Sequence, residues 1–126
     1  MTKYSSSYDP PAVLAKIALK KIEGGERLRD VEMLVDTGSD ITLLPRGDLL
    51  KLQFDPDTVE TVSLIAFDGS IVQSETYFLQ IDFLGQRFTG NYCAMDGPVG
   101  ILGRDVLNKV SILLDGPNLE WDIVKS

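Results

Sequence analysis

The chain has 126 residues, 44% of them hydrophobic and 25% charged, enough for one domain with a buried core and too apolar for a disordered chain. It contains no histidine and one cysteine, Cys93, which excludes histidine-dependent nucleophilic sites, histidine zinc sites and an intrachain disulfide. The net charge of −7 is uneven, with six basic and three acidic residues in 1–29 but six basic and sixteen acidic residues in 30–126, and so acidic a body argues against binding nucleic acid.

Residues 1–10 are polar and serine-rich and are expected to form a flexible N-terminal segment, leaving 11–126 as a single domain. After Pro10-Pro11, Val13, Ala15, Ile17 and Leu19 alternate with other residues as in a strand. Glu23-Gly24-Gly25-Glu26 is a hairpin signal, and Val31, Met33 and Val35 alternate in a second strand that ends at Asp36. Ile41–Leu44 is short and apolar, and Pro45 is expected to stop it. Asp48–Gln53 has room for one or two helical turns. Thr58–Phe67 and Ser70–Phe83 read as strands around Asp68-Gly69, a dipeptide that favours a type I′ turn. A turn at Gly85-Gln86 leads to a strand over Arg87–Ala94, and Val99–Leu102 is a further short strand. Arg104–Val110 is the best helix candidate, and Ser111–Asp115 and Leu119–Val124 form a last hairpin. Many short strands, tight turns and one short C-terminal helix predict an all-β closed barrel or sandwich. The longest strictly apolar runs are four residues, against the roughly 20 needed to span a bilayer. The N-terminal residues carry no charged-then-apolar signal pattern, so a cytoplasmic location is the expectation.

Two stretches carry chemistry. In Leu34-Val35-Asp36-Thr37-Gly38-Ser39-Asp40, an apolar strand delivers a carboxylate to a turn where glycine permits close approach of the backbone. These are also ordinary turn residues, but a plain surface turn does not usually sit between two strongly apolar strands. In Gly100-Ile101-Leu102-Gly103-Arg104-Asp105, a short apolar strand runs into a helix. A glycine-rich anion loop over Gly97, Gly100 and Gly103 is the rival reading, but its spacing fits neither a dinucleotide loop nor a P-loop. Arg104 beside Asp105 also fits a simple ion pair at a helix start. Arg46-Gly47-Asp48 spells an adhesion tripeptide and is read as chance.

Together, in this order, the two stretches resemble the single-domain retropepsin-like aspartic proteases over roughly residues 11–124. Ser39 and a turn with one glycine, Gly69, place the chain nearer the cellular and bacterial members than the viral ones. The resemblance implies an all-β fold whose β-hairpin flap closes over a peptide. It implies a catalytic Asp36 supported by Thr37, Gly38 and Ser39, with the Ser39 hydroxyl donating to Asp36. Asp40, Phe67, Asp68, Gly69, Ser70 and Ile101 would contact substrate, and Asp40 would form an ion pair with Arg104. No metal or other cofactor is implied. Peptide hydrolysis by this route needs two carboxylates sharing a proton. The chain has one Asp-Thr-Gly, so the resemblance implies a homodimer with one Asp36 from each chain, acting on a peptide or protein. Two other functions fit the same residues. A dimerisation or peptide-binding module would keep the fold without strong proteolysis. A small-molecule carrier would be a monomer with an internal cavity.

Overall fold

The computed structural model describes residues 1–66 and 68–124. Alternation sets its first hairpin: β2 (Leu14–Lys21) and β3 (Leu28–Val35) turn Ala15, Ile17, Leu19, Val31 and Met33 into the core. They follow β1 (Thr2–Lys3), which pairs with the last strand rather than remaining free as the polar composition of residues 1–10 suggests. β4 (Leu43–Pro45) is followed by α1 (Arg46–Lys51), in which Leu49 is buried. Pro45 thus ends the strand and also caps a helix, where its missing N–H is no loss. A 3₁₀ turn at Pro56–Thr58 leads into β5 (Glu60–Ile65) and the long β6 (Ile71–Phe83). β7 (Gln86–Met95), β8 (Gly100–Leu102), α2 (Arg104–Leu107), β9 (Ile112–Asp115) and β10 (Glu120–Ile123) complete the chain. The fold is all-β as expected, but with two short α-helices among the described residues instead of one.

Six strands close into a barrel in the order β2-β3-β8-β4-β7-β6, with β6 returning to pair with β2. Leu19, Met33, Leu44, Leu79, Ile81, Phe83, Leu102 and Val106 have no exposed surface and fill it. Each fully buried side chain of this size contributes about 2 kcal/mol, so the barrel carries most of the stability. β1, β10 and β9 form a separate three-stranded sheet, joined to the barrel core by the stacked rings of Trp121 and Phe83.

Two features of topology place the site. β8 lies between β3 and β4, parallel to one and antiparallel to the other, with Ile101 opposite both Leu34 and Leu43. The segment joining β3 to β4 must therefore cross the end of β8. The second feature is β6, which changes partner along its length. Residues 71–76 pair with β5 and residues 76–83 with β7, so β5 and the start of β6 project from the barrel as a hairpin. Ala66 N donates to Ser70 O at 2.8 Å and Gly69 N donates to Ala66 O at 2.9 Å, with Gly69 at φ 85. This connection encloses three residues rather than the two of a type I′ turn. A two-residue turn with both residues at positive φ occurs instead at Leu84-Gly85, between the paired Phe83 and Gln86.

Candidate active site

Asp36 is the first residue beyond β3, and its N–H still donates across to Leu102 O of β8 at 3.0 Å. Its carboxylate is held at the mouth of the crossing segment. Gly38 N donates to Asp36 Oδ1 at 2.9 Å, and Ser39 N donates to Asp36 O at 3.2 Å. A Cβ at Gly38 would lie 3.1 Å from that same Oδ1, so glycine lets the amide reach the carboxylate without crowding it. Thr37 and Gly38 are exposed beside the half-buried Asp36.

Helix α2 fixes the rest of the segment. Arg104 N donates to Ser39 O at 2.9 Å and Arg104 Nη1 donates to Thr37 O at 2.7 Å. Asp105 accepts from Thr42 N at 3.0 Å and from Thr42 Oγ1 at 2.6 Å, while Thr42 Oγ1 accepts from Gly103 N at 3.0 Å. Thr42 is buried, so each of these bonds spares a polar group an unsatisfied burial. Steric fit tightens the same joint. A Cβ on Gly103 would lie 2.3 Å from Ile41 O, and one on Gly100 would lie 2.4 Å from Leu43 O. The space an anion would need against these glycines is filled by backbone, which disposes of the glycine-loop reading.

Two expected contacts are replaced. The Ser39 hydroxyl donates to Ile41 O at 2.7 Å, away from Asp36. Asp40 and Arg104 form no ion pair among the described residues, because the Arg104 guanidinium turns to the Thr37 carbonyl and Asp40 stays exposed. The carboxylate that joins the segment to α2 is Asp105, through Thr42.

Asp36 opens onto a cleft of about 570 Å³ between the barrel and the projecting hairpin. Gly38, Ser39, Asp40, Ile41, Leu43 and Ile101 line one side; Leu64, Ile65, Ala66, Val72, Gln73 and Ser74 line the other. The far end is closed by Arg46, Ala94, Met95 and Asp96. Ile101 and Asp40 thus share the cleft with Asp36. Asp68, Gly69 and Ser70 sit at the hairpin tip, beyond the part that lines it. There the Ser70 hydroxyl and N–H donate to Asp68 Oδ1 at 2.6 and 2.9 Å, holding the Asp68 carboxyl below its ordinary range. Phe67 lies outside the described residues. Cys93 is on β7, where burial pushes its thiol pKa up and favours a packing role over reactivity.

Thr42 and Asp105 escape a reading for catalytic motifs, although Thr42 is the single polar residue in an apolar run, a mark of a buried hydrogen bond. Arg46, Glu75 and Asp96 are far apart in sequence and meet only through β6 and the β7–β8 connection. The family model Aspartyl protease matches residues 20–106, from β2 into α2. This span takes in the Asp36 segment, the hairpin and Gly103-Arg104, and the chain belongs to the retropepsin-like aspartyl protease family, a family of peptidases.

Proposed function

We propose that the protein is an aspartic endopeptidase, active as a homodimer that brings together one Asp36 from each chain. The observation that supports this most directly is the placement of Asp36. The one Asp-Thr-Gly carboxylate of the chain stands at the mouth of an apolar-walled cleft, on a segment tied to two barrel strands and a helix. Two such carboxylates at contact distance hold one proton between them. The ionised one takes a proton from water as its oxygen attacks the scissile carbonyl carbon. The protonated one gives its proton to the carbonyl oxygen, forming a neutral gem-diol. Return of a proton to the amide nitrogen then lets the C–N bond break, leaving an acid and an amine. The Gly38 N–H on Oδ1 fixes the orientation of its Asp36 carboxylate. The β5–β6 hairpin serves as the flap, its tip at Asp68-Gly69-Ser70, which excludes water as it closes over the peptide.

A second chain fits the exposure of Thr37 and Gly38 beside the carboxylate. It also fits β9, an edge strand that exposes the consecutive Leu113 and Leu114. The test is hydrolysis of an unfolded protein at pH 4–7 by wild type and by Asp36→Asn, with and without pepstatin. The expected result is pepstatin-sensitive cleavage, absent in Asp36→Asn, with a specific activity that rises with protein concentration. Full activity in Asp36→Asn overturns the mechanism. A wild type that dimerises and binds peptide without cutting it supports the binding-module reading instead.

A further inference from the structure

The far end of the cleft is built from ions that the hydrolytic step does not use. Arg46, the first residue of α1, donates through Nε to Glu75 Oε2 at 2.9 Å and through Nη2 to Glu75 Oε1 at 3.3 Å. Glu75 lies at the root of the hairpin, where β6 leaves β5 to join β7. This two-pronged bond balances the guanidinium charge with one carboxylate. Arg46 Nη1 then takes a second, Asp96, in the connection from β7 to β8. With two carboxylates on one guanidinium the cluster carries a formal net negative charge, and the Glu75 and Asp96 contacts raise the Arg46 pKa further, so the guanidinium itself stays charged.

Asp96 differs from its partners in exposure. Its side chain is 93% accessible, while those of Arg46 and Glu75 are 28% and 33% accessible. Only Oδ1 of Asp96 is engaged by Arg46, which leaves Oδ2 to face an incoming group. Met95, next to Asp96 in the chain, and Val72, three residues before Glu75, line the same cleft and offer apolar surface to an aliphatic stem. Asp40, exposed and without an ion-pair partner among the described residues, adds negative charge to the same cleft. Arg46 tethers the Asp96 carboxylate before any ligand arrives, so little side-chain freedom is left to lose on binding.

We propose that the Arg46-held Asp96 carboxylate receives a lysine or arginine side chain of the substrate, so that the enzyme prefers peptides with a basic residue flanking the scissile bond. This inference rests on the peptidase reading above. Asp96 contributes binding and specificity, and Arg46 is a positioning residue.

The test uses a matched series of unstructured peptides with an apolar centre, carrying Lys, Gln or Glu at each flanking position in turn. Cleavage is measured with the wild-type dimer, and binding with the uncleaving Asp36→Asn protein and a fluorescent form of each peptide. At one flanking position Lys should outperform Gln by about fivefold in KM, with kcat unchanged, the size expected of an ion pair at a solvent-facing rim. Glu should be worse than Gln. Asp96→Asn should equalise the three peptides, Asp96→Lys should invert their order, and 1 M salt, with a Debye length of about 3 Å, should compress it. A Lys-over-Glu preference that survives Asp96→Asn, or cleavage blind to charge at every position, overturns the proposal while leaving the peptidase reading intact. An Asp96-dependent Lys preference in binding, without Asp36-dependent cleavage, overturns the peptidase reading and keeps the basic subsite.

Discussion

The two structures that face each other across the cleft are built by opposite means. The segment from Asp36 to Thr42 is short, and hydrogen bonds at Asp36, Thr37, Gly38, Ser39, Ile41 and Thr42 tie it to β8, α2 or itself. The β5–β6 hairpin has no buried residue among those described from Glu60 to Gln73, and it leaves Ile65 and Ile71 81% and 70% exposed. It holds together by its own ladder, and its charged tie to the barrel is at the root, through Glu75 and Arg46. In the proposed dimer, a carboxylate that meets its counterpart to within about half an ångström needs the first kind of support. The flap proposed for the hairpin needs the second, because segments with few buried contacts open at small free-energy cost.

Substitutions of the glycines on the two sides make the sharpest test. Gly103→Ala drives a methyl into the Ile41 carbonyl, which is backbone and cannot step aside, and should destabilise the protein by about 3 kcal/mol or more. Gly69→Ala has open space around it and meets only the strain of φ 85, a loss of about 1 kcal/mol. Urea unfolding of both variants measures the gap; equal losses would mean that the crossing segment is no more rigid than the hairpin.

Thr42→Val comes next. It removes the hydroxyl between Gly103 N and Asp105 while keeping the shape, and should lose about 2 kcal/mol, with Thr42→Ser restoring most of it. A Thr42→Val protein as stable as wild type would show that packing alone holds the segment to α2.

The barrel side also has a signature at high pH. Burial pushes the Tyr92 hydroxyl up to about 12, against about 10 in the unfolded chain. In that interval the native state keeps a proton that the unfolded state has lost, so stability falls as pH rises. The contribution is fully present below pH 10, and about 2 kcal/mol is lost by pH 12. Tyr92→Phe should flatten this part of the pH–stability curve, which thermal melts at stepped pH read directly. A slope that persists in Tyr92→Phe would place the titrating group elsewhere.

Ser39→Ala gives the smallest expected effect. The hydroxyl holds Ile41 O, so its loss should cost about 1 kcal/mol of stability and leave the pH profile of peptidase activity unshifted. A profile displaced in Ser39→Ala would mean that the hydroxyl turns to Asp36 in the working enzyme.

Much of this architecture is legible in the sequence because its signals are local. Val31, Met33 and Val35 alternate, and the buried positions of β3 follow that alternation at Val31 and Met33. Asp36 falls where the apolar strand ends, and the structure puts it just beyond β3. Side-chain partners are less legible. Arg104 is adjacent in sequence to Asp105 and within reach of the loop that holds Asp40, and charge alone favours pairing it with either. The geometry gives it a carbonyl instead, because α2 starts directly beneath Thr37 and Ser39.

The sequence by itself determined the principal strands and the position of the carboxylate. Strand alternation, turn glycines and the Asp-Thr-Gly step are properties of neighbouring residues, fixed by side-chain periodicity and allowed backbone angles. Only the tertiary structure decided what those residues touch. Gly100 and Gly103 are glycines because β4 and the segment before it pass over them. Thr42 is polar because Asp105 and Gly103 surround it. Arg46, Glu75 and Asp96 form one cluster because β6 and β7 bring together residues that are 29 and 50 positions from Arg46. Contacts over such separations depend on strand order and register, which emerge when the barrel closes and which no local pattern encodes.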